Sequence, residues 1–164
     1  MAKLTRDLFV PLIDRNKLTG ASAEGYDWVR VDKSTTFALA FNPQEETFSY
    51  INAPNDTTEI TSYQPELPQE IVLDNENPLY VAMKAFAMRF PVGSDAEVPC
   101  LLVMPNSETG EPTDGYLWEH ATISVQDLNT VESNGKLAFT MKLNGVKKDG
   151  TVTASDGTFV FAEA

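Results

Sequence analysis

The amino-acid sequence predicts a mainly β protein, an antiparallel β-sandwich or half-barrel with one flanking α-helix. Residues 136–143 alternate apolar and polar side chains with a period of two, which is typical of a strand with one buried face. Strong turn signals divide the last third of the chain into hairpin-sized pieces, namely Asn144-Gly145, Asp149-Gly150 and Asp156-Gly157. Only residues 78–89 have the flanking signals of a helix. A length of 164 residues, 42% of them hydrophobic, fits one domain with a sizeable core.

The first predicted elements are a strand and a hairpin. Residues 26–31 alternate as a strand, with Trp28 on one face and Val29 and Val31 on the other. Residues 35–51 alternate on both sides of the polar run at 42–46, so they predict a β-hairpin that turns within this run.

A long polar loop is predicted at about residues 52–69. This segment is rich in Asn, Asp, Thr, Gln, Glu and Pro, so we expect it to lack regular structure, and we expect residues 52–64 to be mobile in the isolated chain. Structureless loops longer than about 12–15 residues usually have a function. A short strand at residues 70–73 is expected to lead from it to the helix.

The predicted helix at residues 78–89 follows an N-cap, Asn77, and has Pro78 at its first position. Apolar residues occupy nearly its whole circumference: Leu79, Tyr80, Val81, Met83, Phe86, Ala87 and Met88. Such a helix is normally buried nearly all round. We therefore expect a second cover, either a loop of the same chain or a neighbouring subunit. The candidate contacts to a neighbour on this helix are Tyr80, Met83 and Phe86.

Two more strands are expected before the C-terminal third. Residues 100–104 form a continuous apolar run, and residues 116–125 alternate as one strand that contains His120. Between them, residues 107–115 are expected to form a turn-rich loop.

Charge argues against nucleic-acid recognition. The chain has 24 acidic and 12 basic residues, a net charge of −12, and its basic residues are dispersed. Such a surface repels phosphates and anionic lipids. No run approaches the ~20 apolar residues that a membrane-spanning helix needs, and no signal-peptide core is visible, so we expect synthesis in a reducing cytoplasm.

Catalytic and metal-binding motifs are not evident. The one histidine, His120, accompanies no nucleophile motif, and the one cysteine, Cys100, sits in an apolar run typical of a buried side chain. Asp74, Asn75 and Glu76 precede the helix, where capping explains them better than a calcium loop does. We therefore expect no enzymatic activity, no cofactor and no metal site. A carboxylate pair for glycoside hydrolysis and a Trp/Tyr sugar-stacking platform remain as alternatives.

The order of these pieces resembles the major tail tube protein of long-tailed (siphovirus-type) bacteriophages. The resemblance rests on AFNPQEETFSYI at 40–51, the acid-and-threonine segment 55–71, DNENPLY opening the helix, and GTVTASDGTFVF near the C-terminus. It implies a single tail-tube-like domain over residues 1–164 whose terminal segments act as arms. It also implies hexameric rings that stack into a tube, around a tape measure protein and with tail-completion proteins.

The resemblance further implies a location in the tail of the virion, after assembly in the host cytoplasm, and a conduit through which DNA passes without specific binding. No membrane partner is implied. The predicted loop would then contact a neighbouring ring or subunit through Asn52, Asp56, Thr58 and Glu59. A lumen that conducts a polyanion should be acidic, and the candidate lumen residues are Glu45, Glu46 and Glu59.

Three other interpretations stay open at this stage. A phage-tail-like bacteriocin or a secretion-system tube subunit would share the fold and the assembly. A capsid decoration or fibre β-domain would not need stacked rings. An acidic carbohydrate-binding module belongs to a different class altogether.

Overall fold

The computed structural model describes residues 8–20, 25–31, 38–130, 135–155 and 158–164. Within these residues there are two α-helices, α1 (Arg15–Thr19) and α2 (Pro78–Met88), and a 3-10 helix at Gly93–Ala96. The strands of the same residues are β1 (Val10–Asp14), β2 (Trp28–Arg30), β3 (Pro43–Phe48), β4 (Thr57–Tyr63), β5 (Glu66–Val72), β6 (Cys100–Pro105), β7 (Pro112–Trp118), β8 (Thr122–Asn129), β9 (Lys136–Lys142), β10 (Lys148–Ser155) and β11 (Thr158–Glu163).

The strands form three antiparallel sheets. A six-stranded sheet has the order β11-β10-β7-β6-β1-β2, a three-stranded sheet has the order β5-β9-β8, and β3 pairs only with β4. The predicted fold class, an antiparallel half-barrel with few helices, is confirmed.

The main core lies between the two larger sheets and α2. It combines Cys100 and Leu102 of β6 with Phe139 and Met141 of β9 and with Phe86 of α2. The six-stranded sheet also buries its other face, where Leu12, Leu101 and Leu117 form a second cluster. Burial on both faces explains why β6 reads as a continuous apolar run.

Two glycines accommodate the Phe161 ring of the edge strand β11 beside this second cluster. Gly115 of β7 and Gly150 of β10 are directly opposite each other in the sheet. A Cβ at Gly115 would lie 2.5 Å from Cγ2 of Val152 and 3.0 Å from Cδ2 of Phe161, and one at Gly150 would lie 2.1 Å from the Ala162 carbonyl oxygen and 2.8 Å from Cε2 of Phe161. The two glycines therefore make room for Val152, the Phe161 ring and the backbone of β11.

Several predicted elements are confirmed. Helix α2 begins at Pro78 after the N-cap Asn77, whose side chain accepts a hydrogen bond from the Leu79 backbone N–H. Strand β9 buries alternate residues, as its period of two predicts. In and after β2, Val29 and Val31 face the main core while Trp28 faces the second cluster.

The predicted positions of the hairpin turn and of the polar loop along the chain are wrong. The run at 42–46, predicted to be a turn, lies largely within β3, and the chain turns only at residues 49–56. The predicted loop at 52–69 contains β4 and the first half of β5. Both strands of the β3–β4 hairpin are exposed, so their sequence carries no apolar alternation to mark them as strands.

Three smaller predictions also fail. The alternating run 116–125 is two strands, because β7 ends at Trp118 and β8 begins at Thr122, with His120 in the turn between them. Asp149-Gly150 lies inside β10 rather than in a turn. The loop predicted at 107–115 ends earlier, since β7 begins at Pro112. The Asp156-Gly157 pair lies outside the described residues.

Helix α1 is a second helix that the sequence analysis does not predict. Asp14 caps its first turn by accepting a hydrogen bond from Asn16 N–H, and Gly20 ends it with a φ of 74°. The Arg89 guanidinium, at the end of α2, donates to the Leu18 carbonyl of α1. This contact ties the ends of the two helices together.

Of the two terminal segments expected to act as arms, only the C-terminal one lies within the described residues. Residues 1–7 lie outside the described residues. The C-terminal residues form β11, which pairs with β10 along its whole length.

Candidate assembly surfaces

The β3–β4 hairpin projects from the body of the protein. Neither of its strands joins the larger sheets, and residues 43–47 and 57–63 are all exposed. Its base is fixed by a backbone hydrogen bond from Gln64 N–H to the Asn42 carbonyl, of 3.3 Å, and by a bridge between Ala40 and Glu66. A two-stranded ribbon exposed on both faces buries little of its own apolar surface, so its conformation suits contact with another surface.

The tip of the hairpin is apolar as well as polar. Ile51 is fully exposed at 107%, and the rings of Phe48 and Tyr50 stack with centroids 6.1 Å apart. Of the loop residues predicted to contact a neighbour, Asn52 and Asp56 lie in the turn, and Thr58 and Glu59 lie in β4. The structure therefore brings these four residues together on one projecting element.

The three candidate lumen acids also lie on this hairpin. Glu46 and Glu59 are directly opposite each other, while Glu45 faces Ile60. Like charges directly opposite across a strand pair are unfavourable. Thr47 and Thr58, the next pair along, place their hydroxyl oxygens 3.3 Å apart, within hydrogen-bond distance.

An apolar groove opens at the base of the hairpin. Its volume is about 910 Å³. Its walls come from both larger sheets and the hairpin base, and its lining includes Leu39, Phe41, Tyr63, Met104, Tyr116, Trp118, Leu143 and Lys147. Because Trp118 and Leu143 belong to the main core, the groove is an uncovered end of that core. Phe41 and Tyr63 on its rim are 61% and 58% exposed.

Helix α2 presents a second exposed apolar surface. Its core side buries Tyr80, Met83 and Phe86, so the chain itself already covers the three residues predicted to contact a neighbour. The outward side exposes Val81 and Met88 instead. Exposed apolar residues continue past the helix with Phe90, at 77%, whose φ of 51° is a left-handed conformation that glycine usually takes at helix ends.

Groups with potential catalytic chemistry are scattered. His120 lies in an exposed turn with Nδ1 3.3 Å from Oε2 of Glu97. Cys100 is fully buried and donates to the Val98 carbonyl, and burial raises the pKa of its thiol, so it stays protonated. The described residues contain no group of three or more His, Cys, Asp or Glu side chains that could hold a metal ion.

The arrangement of the aromatic residues argues against a sugar platform. Trp28 and Trp118 are both buried and belong to different clusters, on opposite faces of the six-stranded sheet. Tyr26 stacks on Trp28 with centroids 4.8 Å apart, but this pair alone offers a single half-exposed ring.

An ion pair joins β10 to the end of β7. Lys148 Nζ lies 2.7 Å from Oε1 of Glu119. This contact lowers the pKa of Glu119 and raises the pKa of Lys148. Both side chains are partly exposed, so the pair orients the strand ends without offering a buried charge for chemistry. No helix of the described residues is long and apolar enough to cross a membrane.

Known proteins resemble this chain in fold but not in sequence. No protein-family model matches the sequence, and no curated protein is similar to it. Several solved structures are similar in shape. A chain in the cryo-EM structure of the PVC extracellular contractile injection system, sheath/tube terminator in the extended state, has a TM-score of 0.50 and 5% identity, over 90% of this chain and 98% of that chain.

Two further structures have TM-scores just below 0.50. A chain of the anti-feeding prophage tube-terminating cap has a TM-score of 0.49 and 10% identity, over 92% of this chain and 93% of that one. A chain of the PVC sheath-tube complex has a TM-score of 0.48 and 8% identity, with the same coverage. At 5% identity, the similarity to the sheath/tube terminator shows a shared fold.

Sequence reasoning missed the groove and the outward side of α2. The groove is formed by residues from distant parts of the chain, so no local pattern marks it. The outward residues Val81 and Met88 are visibly apolar in the sequence, but helical periodicity does not say which side of an all-apolar helix faces the core.

Proposed function

We propose that this protein is a structural subunit of a tail-like tube, in which hexameric rings of the chain stack into a hollow conduit. The observation that carries the proposal is the projecting β3–β4 hairpin, whose strands are exposed on both faces and whose tip presents Ile51 to solvent. An apolar knob on a projecting arm is unfavourable for a lone soluble monomer.

The positions of the apolar surfaces support a ring rather than a dimer. The hairpin tip, the basal groove and the outward side of α2 are separate patches. A two-fold dimer uses one patch on both subunits, whereas rings and stacks use different patches on the two partners. The fold shared with a chain of a contractile injection particle supports the same proposal.

The proposed partners follow from this role. The chain would bind further copies of itself, a tape measure protein and tail-completion proteins, and it would reside in the tail of a virion after assembly in the host cytoplasm. DNA would pass through the tube without specific binding, as expected for a chain with a net charge of −12. We propose no catalytic activity.

A second candidate is a tube component of a contractile injection system or a phage-tail-like bacteriocin. The fold similarity to the PVC sheath/tube terminator favours this candidate specifically. The two candidates share the assembly and differ in cargo, since only the phage tube conducts a genome.

Electron microscopy of the purified chain over a concentration series tests the proposal. We expect rings or hollow tubes above a threshold concentration. A variant with residues 45–60 replaced by a two-residue Asn-Gly turn should keep the far-UV circular dichroism and the cooperative unfolding of the body, because the hairpin packs on neither larger sheet, but should form no tubes.

The matched control replaces Glu108 and Thr109 in the exposed β6–β7 turn with alanine and should assemble normally. A chain that stays monomeric at all concentrations, or a hairpin-deleted chain that still forms normal tubes, would contradict the proposal.

A further inference from the structure

The connection between β9 and β10 carries an Asn-Gly pair that the proposed function leaves unexplained. Residues 143–147 lie outside both strands, and Asn144 and Gly145 are exposed. Gly145 has a φ of 78°, in the left-handed region, and a Cβ added to it would meet no atom within 4 Å. The pair therefore lies on an open loop whose conformation suits glycine.

The reactive atoms of this pair are held by few contacts. Among the described residues, no backbone carbonyl accepts a hydrogen bond from the Gly145 N–H. The hydrogen bond of the Asn144 side chain in this part of the chain runs from its Nδ2 to Oγ1 of Thr122, at 2.9 Å. The amide of Asn144 is thus anchored through its nitrogen, while the backbone nitrogen that follows it is available for reaction.

An asparagine in this setting can react with the backbone nitrogen of the next residue. The Gly145 nitrogen attacks Cγ of Asn144 and forms a five-membered succinimide ring. The Cγ–Nδ2 bond breaks, and ammonia leaves with the proton that the backbone nitrogen gives up. Glycine favours this attack because it has no side chain to hinder it.

Water completes the reaction by opening the ring. Hydrolysis at one ring carbonyl leaves aspartate at position 144, hydrolysis at the other leaves isoaspartate, and both restore the Gly145 N–H. The net change is the uptake of water and the release of ammonia, with no oxidation or reduction. We propose that Asn144 is a site of spontaneous deamidation in the folded protein.

A second asparagine provides the opposite case. Asn106 precedes the small residue Ser107 in the turn between β6 and β7, but its side chain is held on both sides. Its Nδ2 donates to Oδ1 of Asp114 at 2.9 Å, and its Oδ1 accepts from the backbone N–H groups of Glu108 and Thr109. Turning this amide toward the Ser107 nitrogen would break these hydrogen bonds, so folding protects Asn106.

Deamidation would change the charge at the apolar groove. Asn144 and Gly145 both line the groove, and Lys147 is the one charged residue of its described lining. Asn144 also lines a smaller polar pocket together with Lys142. The new carboxylate would lie between the two cavities, and the donor to Thr122 would be lost. Isoaspartate would also lengthen the backbone by one carbon shortly before β10.

Incubation of the full-length chain at mildly alkaline pH tests the proposal, because base removes the amide proton and speeds the attack. Dilute folded chain and chain unfolded in urea are sampled over several days and digested briefly with trypsin. Cleavage after Lys142 and Lys147 releases residues 143–147, whereas Asn106 lies in a separate peptide, 90–136. Mass spectrometry with electron-transfer fragmentation locates each modified residue and separates aspartate from isoaspartate. It also distinguishes Asn106 from Asn134, which lies outside the described residues.

We expect the 143–147 peptide to accumulate both products in the folded chain, at a rate within a few-fold of that in the unfolded chain. Folding should slow the modification of Asn106 much more strongly. Asn144→Gln is the matched control, since it keeps an amide but would need a larger ring, and its peptide should stay unmodified. Gly145→Ala should slow the reaction several-fold, and circular dichroism checks that alanine at this φ leaves the fold intact.

The comparison of folded and unfolded chains decides the outcome. A 143–147 peptide that stays unmodified in the folded chain, while the unfolded chain reacts, would show that the loop protects Asn144 and would overturn the proposal. Equal slowing of Asn144 and Asn106 by folding would overturn it too. Neither result bears on the tube function, because the measurement is made on dilute, unassembled chains.

Discussion

A buried carboxylate organises the start of the fold. Asp14 is only 4% exposed, and its Oδ1 accepts hydrogen bonds from the backbone N–H groups of Asn16 and Asp27, at 3.1 and 3.0 Å. It therefore caps α1 and holds the segment before β2 with the same atom. Burial raises the pKa of Asp14 above its ordinary value, against the lowering effect of these hydrogen bonds.

Because the pKa of Asp14 is raised, the folded state holds this proton at a pH where the unfolded chain has lost it. The associated stabilisation is complete below the unfolded pKa, near 3.8, and is lost as the pH rises through the folded pKa. We expect Asp14→Asn, which keeps an accepting oxygen, to gain stability relative to wild type over that rise. Asp14→Ala should lose about 1–2 kcal/mol at every pH because the cap is gone.

Urea unfolding of the wild type, Asp14→Asn and Asp14→Ala between pH 3 and pH 7 measures these differences in the free energy of unfolding. This range begins below the ordinary pKa of an aspartate and extends well above it. If the wild type instead becomes more stable relative to Asp14→Asn as the pH rises, a pKa of Asp14 raised by burial is contradicted.

The two sides of helix α2 are expected to have different roles, the buried side in the stability of the chain and the exposed side in assembly. Phe86 is fully buried in the main core, while Met88, two residues further on, is 66% exposed. Phe86→Asp places a charge in the core and should cost about 3–5 kcal/mol or more, enough to unfold much of the protein. Met88→Asp should change the free energy of unfolding by less than about 0.5 kcal/mol, as surface substitutions usually do, but should weaken assembly.

Thermal unfolding and sedimentation velocity of the two variants measure the two effects. Lys84→Asp, also on the exposed side of α2, provides the control for an added acid. Assembly that is unaffected by Met88→Asp would remove the outward side of α2 from the interfaces.

Burial decides which elements the sequence could predict. Strands β2, β6 and β9 and helix α2 each bury a regular set of side chains, so periodicity located them. Strands β3 and β4 bury almost nothing, and their Thr- and Glu-rich sequence resembles a loop although β-branched threonines fit a strand. The sequence predicts a turn at Gly150 because the atoms that require glycine there, the Ala162 carbonyl oxygen and the Phe161 ring, belong to a strand that follows in the chain. The sequence could not show that Tyr80, Met83 and Phe86 lie on the core side of α2, because an all-apolar circumference does not indicate which side faces the core.

At the scale of the whole molecule, the dominant quantity is a net charge of −12 on 164 residues. Stacking identical chains brings these charges together, and the apolar contacts must exceed their repulsion. Salt shortens the range of that repulsion from roughly 30 Å at 0.01 M to about 8 Å at 0.15 M. We therefore expect the threshold concentration for assembly, measured by light scattering, to fall as sodium chloride rises over this range. A threshold that rises with salt would mean that ion pairs, rather than apolar contacts, hold the assembly.

The hairpin acids should contribute most to this repulsion if they face a lumen, because each ring then places its copies around one cavity. We expect the triple variant Glu45→Gln, Glu46→Gln, Glu59→Gln to assemble at lower salt and to lose part of the salt dependence. Its control neutralises three exposed acids elsewhere, Glu76, Glu108 and Glu111, at equal net charge. Relief of the Glu46–Glu59 opposition should also stabilise the hairpin slightly.

Equal effects in both variants would show that the acids act through net charge alone and serve solubility. Tight, salt-sensitive binding of duplex DNA inside wild-type tubes, or an inner wall that is net positive, would contradict an acidic lumen. A larger effect of the hairpin acids, with no DNA retained, would place the negative charge where a passing polyanion meets it.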